Sequence, residues 1–150
     1  MESQFDRKMT NEHLDVLRRR NVDGVIVFGF SDFDIERLSS WQHRSLVIAM
    51  DTDATSSINY DNTGVIRCAL EHLQRQSVSE IAFIGVDPSD RTTGQIRLNA
   101  YLDWCSEQRL SPNYQTGHLH HESAYQLVDK VLNQTTQAIV LSLIHISEPT

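Results

Sequence analysis

The sequence predicts an α/β architecture, a parallel sheet with helices on both faces. Three observations predict it. Short apolar runs, Gly24–Phe30, Ser45–Met50 and Glu80–Val86, have the look of strands buried on both faces. Between and after them lie amphipathic stretches of ten or more residues, and strands alternating with helices build parallel sheets. Finally, 39% hydrophobic and 22% charged residues suit a folded chain and are too apolar for a disordered one.

The elements follow in order. Residues Met9–Arg20 place Met9, His13, Val16 and Leu17 at helical spacing, with Thr10 or Asn11 as the cap. Arg18, Arg19 and Arg20 fall in the last turn, where cations suit the helix dipole. The run GVIVFGF is the first strand. Ser31 and Asp32 start a short helix carrying Ile35, Leu38 and Trp41, and SLVIAM is the second strand. Ser57–Asp61 is a short extended piece. Asp61–Arg75 is a helix with Val65, Ile66, Ala69, Leu70 and Leu73 on one face. EIAFIGV is the third strand, Thr92–Gln108 the next helix, and Tyr114–His118 a loop or edge strand. Ser123–Leu132 is the last helix, and Ala138–Leu143 is strand-like.

Length, charge and cysteine content exclude several classes. The 150 residues amount to about one domain. A net charge of −7 makes a poor phosphate-backbone binder. No apolar run approaches the ~18–20 residues of a membrane helix. No signal peptide is visible at the start, which predicts a cytoplasmic protein without membrane association. Cys68 and Cys105 read as two reduced, half-buried thiols.

Both ends look cut. The last ten residues, LSLIHISEPT, read as an in-frame translation of a transposase adaptor from sequencing libraries. Residues 141–150 are therefore expected to be foreign, and 1–140 to be a partial domain.

The segment from Gly85 to Arg97 carries the most chemistry. A strand ends, a polar loop follows and a helix begins. The first N–H groups of that helix face the strand ends, where the macrodipole favours an anion. Ligands of parallel sheets lie at those carboxyl ends. Thr92 and Thr93 add hydroxyls, Arg91 adds a charge, and Thr93 and Arg97 share a helix face. Asp90 repels bare phosphate but accepts hydrogen bonds from sugar hydroxyls. The set fits a sugar carrying an anionic group; an N-cap Asp90 in a solvated loop fits the same spacing. Gly29 ends the first strand, either as a close approach to a ligand or as a simple turn glycine. His118, His120 and His121 match no dependable metal spacing. No G-x-G-x-x-G, P-loop, G-x-S-x-G or H-E-x-x-H motif appears, so neither cofactor, metal nor catalysis is expected.

Taken together, VDGVIVFGF, SLVIAMD, YDNTGVIRCALEHL, EIAFIGV and RLNAYLDWC resemble the effector-binding domain of LacI–GalR-type bacterial transcription regulators. The SDRTTG loop and the Arg97 that follows resemble the trehalose-responsive branch of that family. The resemblance implies a truncated, type I periplasmic-binding-protein-like lobe, mostly the N-terminal one. It implies a repressor that binds operator DNA through a headpiece outside this chain and forms a homodimer. The implied effector is trehalose 6-phosphate, with trehalose competing. The implied ligand residues are Gly29, Asp90, Thr92, Thr93 and Arg97, with Arg91 acting through its backbone. Met50 stands where that branch carries a basic residue, which bears on effector choice. The usual glycine after the Asp61–Arg75 helix is also absent, replaced by Gln76-Ser77-Val78. A transport-associated sugar-binding protein of the same fold, and a sugar-phosphate enzyme, are the alternatives. An upstream signal peptide marks the first, and a titratable pair with perturbed pKa values the second.

Overall fold

The run IAFIGV is apolar at every position, so a strand made from it must be covered on both sides. In the computed structural model, which describes residues 6–28, 35–50, 52–118 and 121–143, it is. The chain divides into two compact units, Met1–Tyr60 and Asp61–Thr150.

The first unit contains α1 (Arg7–Arg19), β1 (Val25–Phe28), a 3-10 helix (Ile35–Arg44), β2 (Ser45–Ile48) and β3 (Ser56–Ile58). Its three strands are all parallel, in the order β1-β2-β3. The core gathers Leu14, Val25, Val27, Leu38, Trp41, Val47 and Met50. Trp41 is fixed there by donating its indole N–H to the Val22 carbonyl at 3.1 Å.

Several expectations for this unit are corrected. Helix α1 begins earlier than expected, because Asp6 caps it rather than Thr10 or Asn11. The Asp6 carboxylate accepts from the Met9 N–H at 2.7 Å. Its buried face runs through Thr10 and Leu14, while Met9 is exposed. Asp15, on a neighbouring face, accepts from Arg37 at 2.6 Å. Strand β1 is not buried on both faces: Val25 and Val27 point into the core, whereas Ile26 and Phe28 are about two-thirds exposed, at 68% and 67%. Strand β2 also alternates. The short piece near Ser57 is a true strand, held by Ala49 N–H donating to Ile58 O at 2.7 Å. The caps expected at Ser31 and Asp32 lie outside the described residues.

The second unit contains α2 (Asn62–Arg75), β4 (Ile81–Val86), a π turn (Arg91–Gln95), α3 (Ile96–Gln108), β5 (Tyr114–Gly117), α4 (His121–Val131) and β6 (Ala138–Leu141). The sheet order is β5-β4-β6, again wholly parallel. Alternate residues of β4 serve two cores. Ile81 and Phe83 pack with Ile66, Leu70, Tyr101 and Trp104 of α2 and α3. Ala82 and Ile84 pack with Ala124, Leu127 and Val131 of α4. Helices thus cover both faces of this sheet, as the sequence predicts. The fully buried Tyr101 ring stacks on Phe83 at 5.1 Å, and its hydroxyl donates to the Ile81 carbonyl at 2.9 Å while accepting from Asn113 N–H at 3.0 Å. On α2, Ile66 and Leu70 face the core, but Val65 is 52% exposed and leaves the predicted face. Tyr114–Gly117 resolves as the edge strand.

Helix α2 ends where the expected glycine is missing. Ser77 takes a left-handed φ of 63° there, and Val78 N–H donates to Leu73 O at 3.1 Å, closing the helix in a Schellman pattern. A β-carbon disfavours that conformation. Ser77→Gly is therefore expected to stabilise the protein by up to ~1 kcal/mol, read by urea denaturation. A loss of stability contradicts this.

The cysteines differ from the expected half-burial. Cys68 is exposed and Cys105 is buried. Burial pushes the Cys105 thiol above its ordinary value of 9.0, against an opposing hydrogen bond with Tyr101. A raised folded-state value favours the neutral thiol, so its contribution to stability is complete below the unfolded pKa and declines as pH rises past about 9. A thiol reagent at pH 8 is expected to label Cys68 at once and Cys105 only on unfolding. Equal labelling rates refute this.

Candidate functional site

Because all three strands of the second unit are parallel, their carboxyl ends gather at one edge. Strand β4 delivers Asp87 there. Its backbone N–H donates to Gly117 O of β5 at 2.9 Å. The Asp87 carboxylate turns back on its own loop and accepts from Ser89 N–H at 2.9 Å. That bond, with a smaller contribution from His118, lowers its pKa.

The loop closes on Asp90. Its Oδ1 accepts from Thr92 N–H at 3.0 Å and Thr93 N–H at 2.8 Å, with Gly94 N–H further off at 3.5 Å. The backbone carbonyl of Asp90 accepts from Gln95 N–H at 2.8 Å, a bond spanning five residues, so the turn is π rather than α. This corrects the expectation of one continuous helix from Thr92. The N–H groups aimed at the strand ends are engaged by Asp90 itself, the N-cap arrangement that the spacing also allowed. A carboxylate two to four residues away reaches them as an N-cap.

Gly94 is what lets this turn sit against the end of β4. A β-carbon built there falls 2.2 Å from the Asp87 carbonyl oxygen and 3.2 Å from that of Val86. Both are backbone atoms, so no side-chain rotation relieves the clash.

The predicted site residues therefore divide. Asp90, Arg91, Thr92, Thr93 and Arg97 come together on one turn and the helix that follows. Arg91 is exposed, Thr93 half-buried and Thr92 buried. Arg97, at 8% exposed, turns inward. Its Nε donates to Asn62 Oδ1 at 2.8 Å, and its Nη1 donates to the Ser142 carbonyl at the end of β6. The π turn alters the register, but Arg97 remains on the side of α3 that meets α2 and β6. Gly29 lies outside the described residues, as does His120. Met50 is buried in the apolar core of the first unit.

Sequence reasoning missed Asn62, buried at 3% and placed by the cap of α2, where Asp61 accepts from Gly64 N–H at 2.8 Å. It is 35 residues from Arg97, and no local pattern announces the pair. Among the described residues no group of three or more His, Cys, Asp or Glu converges as a metal site. No helix among them is long and apolar enough to cross a membrane.

Known proteins share this fold. The chain is 39% identical over 140 residues to the HTH-type transcriptional regulator TreR of Escherichia coli (strain K12), and 37% identical over 140 residues to TreR of Salmonella typhimurium. Each alignment covers 93% of this chain and 44% of the relative. The trehalose repressor from Escherichia coli superposes with a TM-score of 0.91 at 37% identity, covering 98% of this chain and 58% of that one. The chain belongs to the LacI family. Other LacI-family structures share the fold at lower identity. A regulator from Lactobacillus casei with bound glucose has a TM-score of 0.75 at 21% identity, over 97% of this chain and 58% of its own. No family model matches the chain. Both curated relatives are HTH-type transcriptional regulators. The chain spans less than half the length of the curated LacI-family relatives it matches.

Proposed function

We propose that this chain is the effector-sensing part of a cytoplasmic, homodimeric repressor of trehalose uptake and metabolism genes. In this reading trehalose 6-phosphate is the effector and trehalose competes with it. The observation that carries the reading is the capped turn from Asp87 to Arg97 at the carboxyl end of the sheet, in a chain so similar to trehalose repressors. Arg97 supplies the buried cation for an anionic group. Thr93 supplies a hydroxyl at the same turn, and the second carboxylate oxygen of Asp90 suits a sugar hydroxyl. Arg91, exposed on the turn, and Gly29 are the remaining members of the proposed set. Closure over the effector is a two-state change that alters operator affinity through the headpiece.

The test uses the full-length gene product and labelled operator DNA in a fluorescence-anisotropy titration. Trehalose 6-phosphate is expected to release the operator, and trehalose to oppose that release. Operator binding indifferent to millimolar trehalose 6-phosphate contradicts the reading.

Residues 141–150 are read as foreign to the natural protein. Sequencing the genomic locus beyond Val140 tests it. Codons continuing as LSLIHISEPT refute it.

A further inference from the structure

Asn62 is the first residue of α2, and the boundary between the two compact units falls just before it, between Tyr60 and Asp61. Its side chain is buried at 3% exposure and accepts from Arg97 Nε at 2.8 Å. The same guanidinium donates to the main-chain carbonyl of residue 142 at the end of β6, an acceptor that does not depend on which side chain stands there. One planar fork therefore ties three things together: the turn proposed to hold the effector, the end of a strand, and the helical start into which the connecting chain runs. The start of α2 has little slack of its own. Asp61 accepts from Gly64 N–H at 2.8 Å, and its carboxylate lies so close over Gly64 that a β-carbon there would fall 2.2 Å from Asp61 Oδ2.

We propose that Asn62 is a positioning residue that transmits the occupancy of the Asp87–Arg97 turn to the connection between the units. This rests on the reading of that turn as the effector site. An anionic ligand draws the Arg97 guanidinium toward itself. A hydrogen bond near 2.8 Å weakens steeply with distance and angle, so a shift of about 1 Å loosens the grip on Asn62. The first turn of α2, and the connection leading into it, then relax to a second position. In linkage terms the Arg97–Asn62 bond favours the ligand-free state, and its differential strength between the two states is a coupling free energy. Asn62 itself need not touch the ligand.

The experiment separates binding from transmission in the full-length protein. Effector affinity is measured by calorimetry with trehalose 6-phosphate. Transmission is measured as the ratio of operator affinities without and with saturating effector. Asn62→Leu is expected to leave effector affinity within about threefold of wild type while reducing that ratio at least tenfold. Asn62→Asp keeps an acceptor for Arg97 and is expected to restore part of the ratio, a rescue that a merely structural role would not give. If Asn62→Leu fails to fold, Asn62→Asp and Asn62→Ser carry the same comparison. An unchanged ratio in the folded variants overturns the proposal, as does a loss of ratio matched by an equal loss of effector affinity. A wild-type protein whose operator affinity ignores trehalose 6-phosphate overturns the effector reading. The ratio is then taken with trehalose, glucose and inorganic phosphate, and a wild type insensitive to all three overturns the proposal too.

Discussion

Arg97→Ala is expected to cause the largest combined loss of stability and ligand affinity. The substitution removes a buried guanidinium that donates to Asn62 and to the Ser142 carbonyl. Hydrogen bonds from a charged donor contribute more than neutral ones, and buried acceptors deprived of them lose solvation that water does not return. The expected loss of stability is roughly 2–4 kcal/mol, read by denaturant titration. In the full-length protein, trehalose 6-phosphate affinity should fall at least tenfold, about 1.4 kcal/mol, by calorimetry on variants that remain folded. Arg97→Lys keeps the charge but not the planar fork, and is expected to recover less than half of the lost stability. Unchanged stability with unchanged affinity would remove Arg97 from the account altogether.

Gly94→Ala is the second. The added carbon would lie 2.2 Å from the Asp87 carbonyl oxygen and 2.9 Å from its carbon, far inside van der Waals contact. The loop must move away from the end of β4, dragging the Asp90 cap with it. The expected cost is roughly 1–3 kcal/mol, the range for forced overpacking, and a fall in Tm of about 2–12 °C. Calorimetric melting checks this, and amide exchange adds detail: the Thr92 and Thr93 N–H groups should lose protection. A Tm within a degree of the parent's would show that the turn has slack the structure does not reveal.

Local pattern made most of the second unit legible. An uninterrupted apolar run specified β4, a 3.6-residue rhythm specified α2 and α3, and their alternation specified a parallel sheet. Legibility failed where one residue's fate depends on distant ones. Ile26 and Phe28 read as buried because they are apolar, yet nothing in GVIVFGF states which face of β1 is covered. Met9 is as apolar as Leu14, but Leu14 is the one buried in the core that holds Trp41 and Val47. The start of α1 shifted because Asp6 outcompeted Thr10 for the cap. At the candidate site, the spacing of Asp90 to Thr93 allowed both an N-cap and a ligand site, and the capping bonds settled what Oδ1 does. The π turn was not legible, because it goes with a close approach of Gly94 to Asp87 that no local pattern marks. Nor were the partners of Arg97, at sequence distances of 35 and 45 residues, which only the folded sheet brings together.

Diffraction from crystals of the full-length protein grown with trehalose 6-phosphate tests the central claim most directly. Density for a phosphorylated disaccharide is expected at the carboxyl end of β4, with a ligand oxygen within about 3 Å of Thr93 Oγ1 or the Arg97 guanidinium. A disaccharide bound elsewhere on the protein, with the Asp87–Arg97 turn untouched, contradicts it.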